Sequence, residues 1–212
     1  MARLRKASRV WRSTTAGAAA ERVLVAADAA VLSLDLVALF PRKAPLEVEL
    51  GAGRGDFLIE RAAACPERDF LAVELAGSVA RLLAARAGGR ELANLRVIRA
   101  DARTIVNLLL PDASVSIYHL YFPDPWPKAR HGKHRMVSPP MIASLSRTLV
   151  GGGLIHVASD VEEWAAAMFA MLRVGRFTQL DGGEVAGARF SGFGRKYLAA
   201  GKPVFAATFQ SF

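Results

Sequence analysis

The sequence predicts an α/β fold, a doubly wound sheet with helices on both faces. Two observations predict it. From Leu46 onward, short apolar runs alternate with segments of helical period, the pattern that sets strands side by side with crossover helices between them. The chain has 212 residues and is 52% hydrophobic, enough for one large core. In such sheets ligands bind beyond the carboxyl ends of the strands. A site is therefore expected just after residues 50, 74, 100, 122 and 159.

Residues 46–50 read as the first strand, and 56–65 as a helix stopped by Pro66. Residues 70–74 form the second strand. Ser78 is placed to cap a helix carrying Val79, Leu82 and Leu83 on one face, and Gly88 with Gly89 ends it. Residues 95–98 and 115–122 supply the third and fourth strands. Met141, Leu145 and Leu149 recur at helical spacing, with Ile142 beside them. Residues 154–158 are the fifth strand. Val161, Trp164, Ala165, Met168 and Leu172 make a helical stripe, in which Trp164, like Trp11 upstream, reads as a packing residue. Residues 177–180 and 204–209 can close the sheet. Upstream, 26–40 is apolar but broken by Asp28 and Asp35, which reads as a buried helix and not a membrane span. The chain thus divides into a basic arm and helix (1–40) and a main domain (41–212), without repeats or low-complexity linkers.

Each strand end carries a chemical feature. After the first come Gly51, Gly53 and Gly55, alternating so that the backbone can turn sharply and approach a ligand. A ligand-free tight turn needs such glycines too, and a dinucleotide site would look similar. Glu74 ends the second strand, where an acid can accept from both hydroxyls of a ribose; the bland alternative is an exposed carboxylate. Asp101, followed by Ala102, ends the third and can accept from an adenine amino group. Glu49, just before the glycines, can hold a charged amino acid end. That acid is rarely called for in a dinucleotide fold, so the set tilts towards S-adenosylmethionine.

The fourth strand runs into Phe122-Pro123-Asp124-Pro125-Trp126-Pro127-Lys128. Three prolines lock the backbone around Asp124 and remove competing donors. A rigid carboxylate beside an indole suits a flat base, which stacks on the ring and donates N–H groups to the acid. Lys128, Arg130, Lys133 and Arg135 follow and can meet phosphates. The alternative is a stiff surface loop with a solvated basic run. Asp160, at the fifth strand end, either faces a substrate or caps the next helix.

The net charge of +9 favours a polyanionic partner, although it could equally be a solubilising surface. Arg3, Arg5, Lys6, Arg9 and Arg12 precede the first acid, Glu21; we read them as a nucleic-acid-binding arm, a transit peptide being the other reading. The single cysteine, Cys65, precludes an intrachain disulfide and fits a reducing, cytoplasmic setting. No metal is expected: His131 and His134 lie in the basic run, where they face RNA or solvent. No Ser-His-Asp set, P-loop or paired-carboxylate hydrolase signature is present.

From 46 to 209 the chain resembles the bacterial tRNA (guanine-N7-)-methyltransferases, above all in the segment from Phe122 to Lys128 with its trailing Arg130-His131 and Lys133-His134-Arg135. The resemblance implies a Rossmann-like class I methyltransferase fold with a mostly parallel, seven-stranded sheet. It implies S-adenosylmethionine as methyl donor, released as S-adenosylhomocysteine, and a guanine in the variable loop of tRNA as acceptor. It also implies that Glu49, Glu74 and Asp101 contact the donor, that Asp124 is catalytic, and that Lys128 and Asp160 bind substrate. A monomer or homodimer, without membrane contact, is expected.

One departure stands near the C-terminus. The family's Thr-x-x-Glu motif falls on Ser191 and Gly194, which keeps the hydroxyl and loses the carboxylate. No acid follows Glu184; Arg189, Arg195 and Lys196 occupy the neighbourhood. A non-catalytic RNA-binding relative, or a methyltransferase with another acceptor, is therefore the alternative. A nicotinamide-dependent oxidoreductase is disfavoured by Glu49 and the Asp124 loop.

Overall fold

A computed structural model of the chain describes residues 20, 23–25, 33–125, 136–181 and 186–212. Among the described residues eight strands form one sheet: β1 (Leu24–Val25), β2 (Leu46–Leu50), β3 (Asp69–Glu74), β4 (Leu95–Arg99), β5 (Val115–Tyr121), β6 (Leu149–Ser159), β7 (Thr178–Leu180) and β8 (Phe205–Gln210). Their spatial order is β1-β4-β3-β2-β5-β6-β8-β7. Pairings from β1 to β6 are parallel, and β8 is antiparallel to both β6 and β7. The sequence expectation of a mostly parallel, seven-stranded sheet describes β2 to β8. The eighth strand is two residues of β1 added beside β4, backed by buried Ala20 and Val23.

The helices are α1 (Leu36–Leu39), α2 (Leu58–Ala64), α3 (Gly77–Gly88), α4 (Ala102–Thr104), α5 (Pro139–Thr148), α6 (Glu162–Val174), α7 (Ala186–Phe190) and α8 (Gly192–Ala199). A single π turn, Ile105–Leu109, continues α4. One apolar cluster, from Val48 and Leu50 to Met141, Trp164 and Phe209, covers one face of the sheet. A second, with Phe57, Phe70, Leu83 and Tyr121, covers the other. The order of strands reverses between β2 and β5, so a crevice opens above those two strand ends.

Three local readings are corrected. Ser78 does not cap α3: the cap position is Ala76, without a side-chain bond, because Ser78 lies inside the helix. Within 26–40, residues 26–32 lie outside the described residues, and the rest holds only the single turn α1, with none of its residues buried. Asp35 starts that turn by accepting from Ala38 N–H at 2.9 Å. The fifth strand begins at Leu149, directly at the end of α5: the chain stays in the sheet through Gly151, Gly152 and Gly153, with a shift of register against β5 and a left-handed Gly152 at φ +74. Of the expected stripe, Trp164, Ala165, Met168 and Leu172 are buried in α6, whereas Val161 is exposed at the cap position because the helix begins only at Glu162.

Candidate functional site: a cleft above the strand ends

The glycine turn after β2 is tied down at several points. Gly51 and Ala52 N–H groups donate to Val73 O at 2.9 and 3.1 Å, and Gly53 N–H donates to Glu74 Oε2 at 2.9 Å. Gly53 has φ +56, a left-handed backbone that side chains resist. Gly55 is left-handed too, and a Cβ there would lie 2.7 Å from Leu83 Cγ; its absence lets α3 approach the turn. Glu74 also accepts from Ala76 N–H at 2.7 Å. Each of its oxygens thus takes one backbone donor and keeps a further lone pair beside the cleft.

The cleft has two lobes. One, about 280 Å³, is bounded by Gly51, Glu74, Asp101, Ala102 and Asp124. The other, about 530 Å³, is bounded by Glu49, Gly53, Asp56, Ser191 and Lys196. Glu74, Tyr121 and Phe193 border both. The structure therefore brings Glu49, Gly51, Gly53, Glu74, Asp101, Ala102 and Asp124 around one cleft, with Ser191 at its far wall; Gly55 supports the turn from behind.

Glu49 is 4% exposed, and its Oε2 has no hydrogen-bond partner among the described residues. Burial, then the charges of Asp56 and Glu74, push its carboxyl well above the usual range. A cationic ligand group would remove that penalty. Two residues earlier, Glu47 is fully buried but surrounded by donors. Arg61 grips it with two bonds of 2.9 Å, Arg68 Nη1 lies at 3.2 Å and His119 Nε2 at 2.9 Å. Burial alone would raise its pKa, but the bonds from His119 and Arg61 prevail and bring it to about 2. Burial holds the His119 ring neutral, so Nε2–H donates to Glu47 and the Tyr121 hydroxyl donates to Nδ1 at 2.9 Å. Phe57 packs edge-on against both rings. Tyr121, at the cleft, is thus fixed from beneath.

Asp101 is engaged. It caps α4 by accepting from Arg103 N–H at 2.8 Å, and the Arg103 guanidinium forks onto both carboxylate oxygens. The bond from Arg103 lowers its pKa. An adenine amino group at this strand end would share the carboxylate with Arg103.

After β5 the chain turns through Phe122, whose φ of +54 is rare for a bulky side chain and costs about 1–3 kcal/mol. Phe122 N–H donates to Ala158 O at 2.8 Å, and the indole Nε1–H of buried Trp164 donates to Pro123 O at 3.3 Å. These bonds hold the turn that sets the exposed Asp124 at the cleft rim. Trp126, Lys128, Arg130, Lys133 and Arg135 lie outside the described residues, as do His131, His134, Glu184 and the basic arm. Asp160 neighbours the Tyr197 hydroxyl, whose pKa is raised by burial and then by the Asp160 charge; Ser159 Oγ accepts from Val161 N–H at 3.1 Å, and the cap position of α6, Val161, makes no side-chain cap bond.

Ser191 starts α8. Its hydroxyl donates to Ala188 O at 2.8 Å and accepts from Gly194 N–H at 3.0 Å. A Cβ on Gly194 would lie 1.8 Å from Ala188 O, so this backbone has no room for any side chain there. Sequence reasoning missed Tyr121, Phe193, Tyr197 and Arg103. Aromatic residues in strands and helices usually signal packing, and no spacing rule shows that Arg103 turns back onto Asp101.

Among the described residues no group of three or more His, Cys, Asp or Glu could hold a metal, and no helix is long and apolar enough to cross a membrane.

Acids at the ends of β2, β3 and β4, a glycine turn between them and an antiparallel β8 beside β6 define a Rossmann-like, class I methyltransferase architecture. A model of the family described as "Putative methyltransferase" matches residues 43–205. The chain belongs to that family. It is 44% identical over 140 residues to the tRNA (guanine-N(7)-)-methyltransferase of Psychromonas ingrahamii, covering 66% of this chain and 58% of the relative. It is 47% identical over 140 residues to the enzyme of the same name from Leifsonia xyli subsp. xyli, covering 66% and 61%. The match thus spans under two thirds of these relatives' length. The 16S rRNA methyltransferase KamB shares the fold with a TM-score of 0.62 at 19% identity, covering 84% of this chain and 94% of that one. A SAM-dependent methyltransferase from Aquifex aeolicus does so with 0.57 at 12%, covering 84% and 87%.

Proposed function

We propose that the chain transfers a methyl group from S-adenosylmethionine to N7 of a guanine in the variable loop of tRNA. One observation carries the reading: Glu49 is buried in a cleft whose rim holds Asp124, and its Oε2 has no hydrogen-bond partner among the described residues. The residues fit the donor. Glu49 suits its ammonium group, the spare lone pairs of Glu74 suit ribose hydroxyls, and Ala102 with the outer edge of Asp101 suits adenine. The donor supplies an electrophilic methyl on a sulfonium sulfur.

Guanine N7 carries a free lone pair, so no proton has to leave the attacking atom and no strong general base is needed. The protein's contribution is alignment, worth roughly 7–11 kcal/mol in ideal cases, and stabilisation of positive charge on the purine. Asp124, at the rim, accepts from the N–H edge of the base and offsets that charge. Lys128 and Asp160 bind the acceptor, with Trp126, Arg130, Lys133 and Arg135 along its strand. The net charge of +9 and the names of the relatives support tRNA as partner, and with it the cytoplasm as site of action.

The test is transfer of labelled methyl to unmodified bulk tRNA, followed by digestion to nucleosides. Label in 7-methylguanosine is expected. Label in any other nucleoside, or none with both ligands bound, refutes the proposal.

A further inference from the structure

Phe193 is a large apolar side chain left 54% exposed at the border of both cleft lobes, on the α8 turn where the expected acid is absent. The backbone on either side of it is closely packed. On its N-terminal side a Cβ on Gly192 would meet Asp56 Oδ2 at 2.6 Å, and on its C-terminal side Gly194 is locked between Ser191 Oγ and Ala188 O. Its ring is backed by Tyr197, with centroids 6.0 Å apart and planes 22° from parallel, and by Phe122 at 6.3 Å. Lys202 Nζ lies 5.4 Å above the Tyr197 ring. Aromatic rings ordered in layers, with one left open to the cleft, make a stacking platform.

The charges around it identify what it stacks. Lys196 and Arg195 are exposed on the same helix, Arg195 reaching Asp56 at 3.4 Å, so a cationic rim surrounds the ring. Asp124 and Asp160 stand at the same end of the sheet. A flat ring, cations for a phosphodiester and acids for N–H donors together match an unstacked purine in a single-stranded loop. An apolar protein partner would leave these charges unmatched.

We infer that Phe193, backed by Tyr197 and Phe122, is the face on which the acceptor purine of the RNA stacks, taking over by stacking part of the hold that a carboxylate at position 194 would give. The inference rests on the RNA-methylation reading above and adds a binding residue to it.

The experiment uses the full chain and a single-stranded oligoribonucleotide bearing one 2-aminopurine, whose fluorescence is quenched on stacking. Wild type is expected to quench it. Phe193→Leu keeps the bulk and loses the π face: quenching disappears, and affinity for the oligonucleotide falls about 5- to 150-fold, the range for one base–aromatic stack. Phe193→Tyr restores both, and S-adenosylmethionine affinity is unchanged in either variant. Thermal melting checks that Phe193→Leu is folded. Full quenching by Phe193→Leu overturns the inference, as does an equal loss of S-adenosylmethionine affinity, which would assign the ring to the donor. Failure of the underlying reading looks different: wild type quenches the probe but transfers no methyl to tRNA.

Discussion

Glu47 and Glu49 project from the same face of β2, and the fold holds their carboxyls in opposite states. Arg61, Arg68 and His119 surround Glu47 and keep it ionised down to a pKa of about 2; Glu49 has burial and two acidic neighbours, and its pKa is pushed well above the usual value. One acid holds the sheet together, and the other waits for a cation.

Glu49→Gln is expected to stabilise the unliganded protein. A carboxyl with a raised folded pKa contributes stability that is complete below the unfolded value of 4.5 and is lost as pH rises through the folded value. Thermal melts from pH 5 to 9 should therefore diverge, with the variant ahead by about 1–3 kcal/mol at the alkaline end. Calorimetry should show S-adenosylmethionine binding lost in the same variant. Parallel melting curves would show that Glu49 is not a buried carboxylate in waiting.

Glu47 behaves in the opposite sense. Its folded pKa lies below the unfolded 4.5, so its contribution is full above 4.5 and is lost as pH falls towards 2. The difference amounts to about 3 kcal/mol. Glu47→Gln should lower the melting temperature at pH 7 and flatten the acid limb of the stability curve. A variant as stable as wild type at pH 7 would contradict the assignment.

Most of this framework was legible in the sequence. The ends of β2, β3 and β5 could be placed because glycines, an acid and prolines punctuate apolar runs there. What escaped had no local signature. Ser78 looked like a helix cap but lies inside α3, since backbone geometry and not residue type chose Ala76. The pairing of Asp101 with Arg103 is a rotamer choice. Phe193 escaped because the glycines that flank it pack against Asp56 and Ala188, neither adjacent to it in sequence.

The missing acid at position 194 follows from the same packing. Gly194→Glu should not add activity. Its Cβ would strike Ala188 O, and the variant should lose about 1–3 kcal/mol of stability or shed the first turn of α8. Even Gly194→Ala should melt lower than wild type. A Gly194→Glu protein with wild-type melting and faster methyl transfer would show that the turn is adaptable.

Trp164→Phe tests the hold on the Asp124 turn. It keeps the packing and removes the Nε1–H bond to Pro123 O, for about 1 kcal/mol. Turnover should fall several-fold while donor affinity stays constant. A change in donor affinity alone would place the effect in the cleft and not in the turn.

Asp124→Asn should cut turnover by about 100- to 1000-fold, the range for removing one preorganised electrostatic contact, with donor affinity kept within a few-fold. Equal losses in both would move Asp124 from the acceptor to the donor.

Mapping the methylated position on the tRNA decides whether N7 of a guanine is the acceptor. After incubation of a tRNA transcript with S-adenosylmethionine, borohydride reduction and aniline treatment cleave the strand where a guanine carries a methyl on N7. One enzyme-dependent scission is expected, at a guanine of the variable loop. Methyl incorporation without scission, or scission elsewhere in the tRNA, would contradict it.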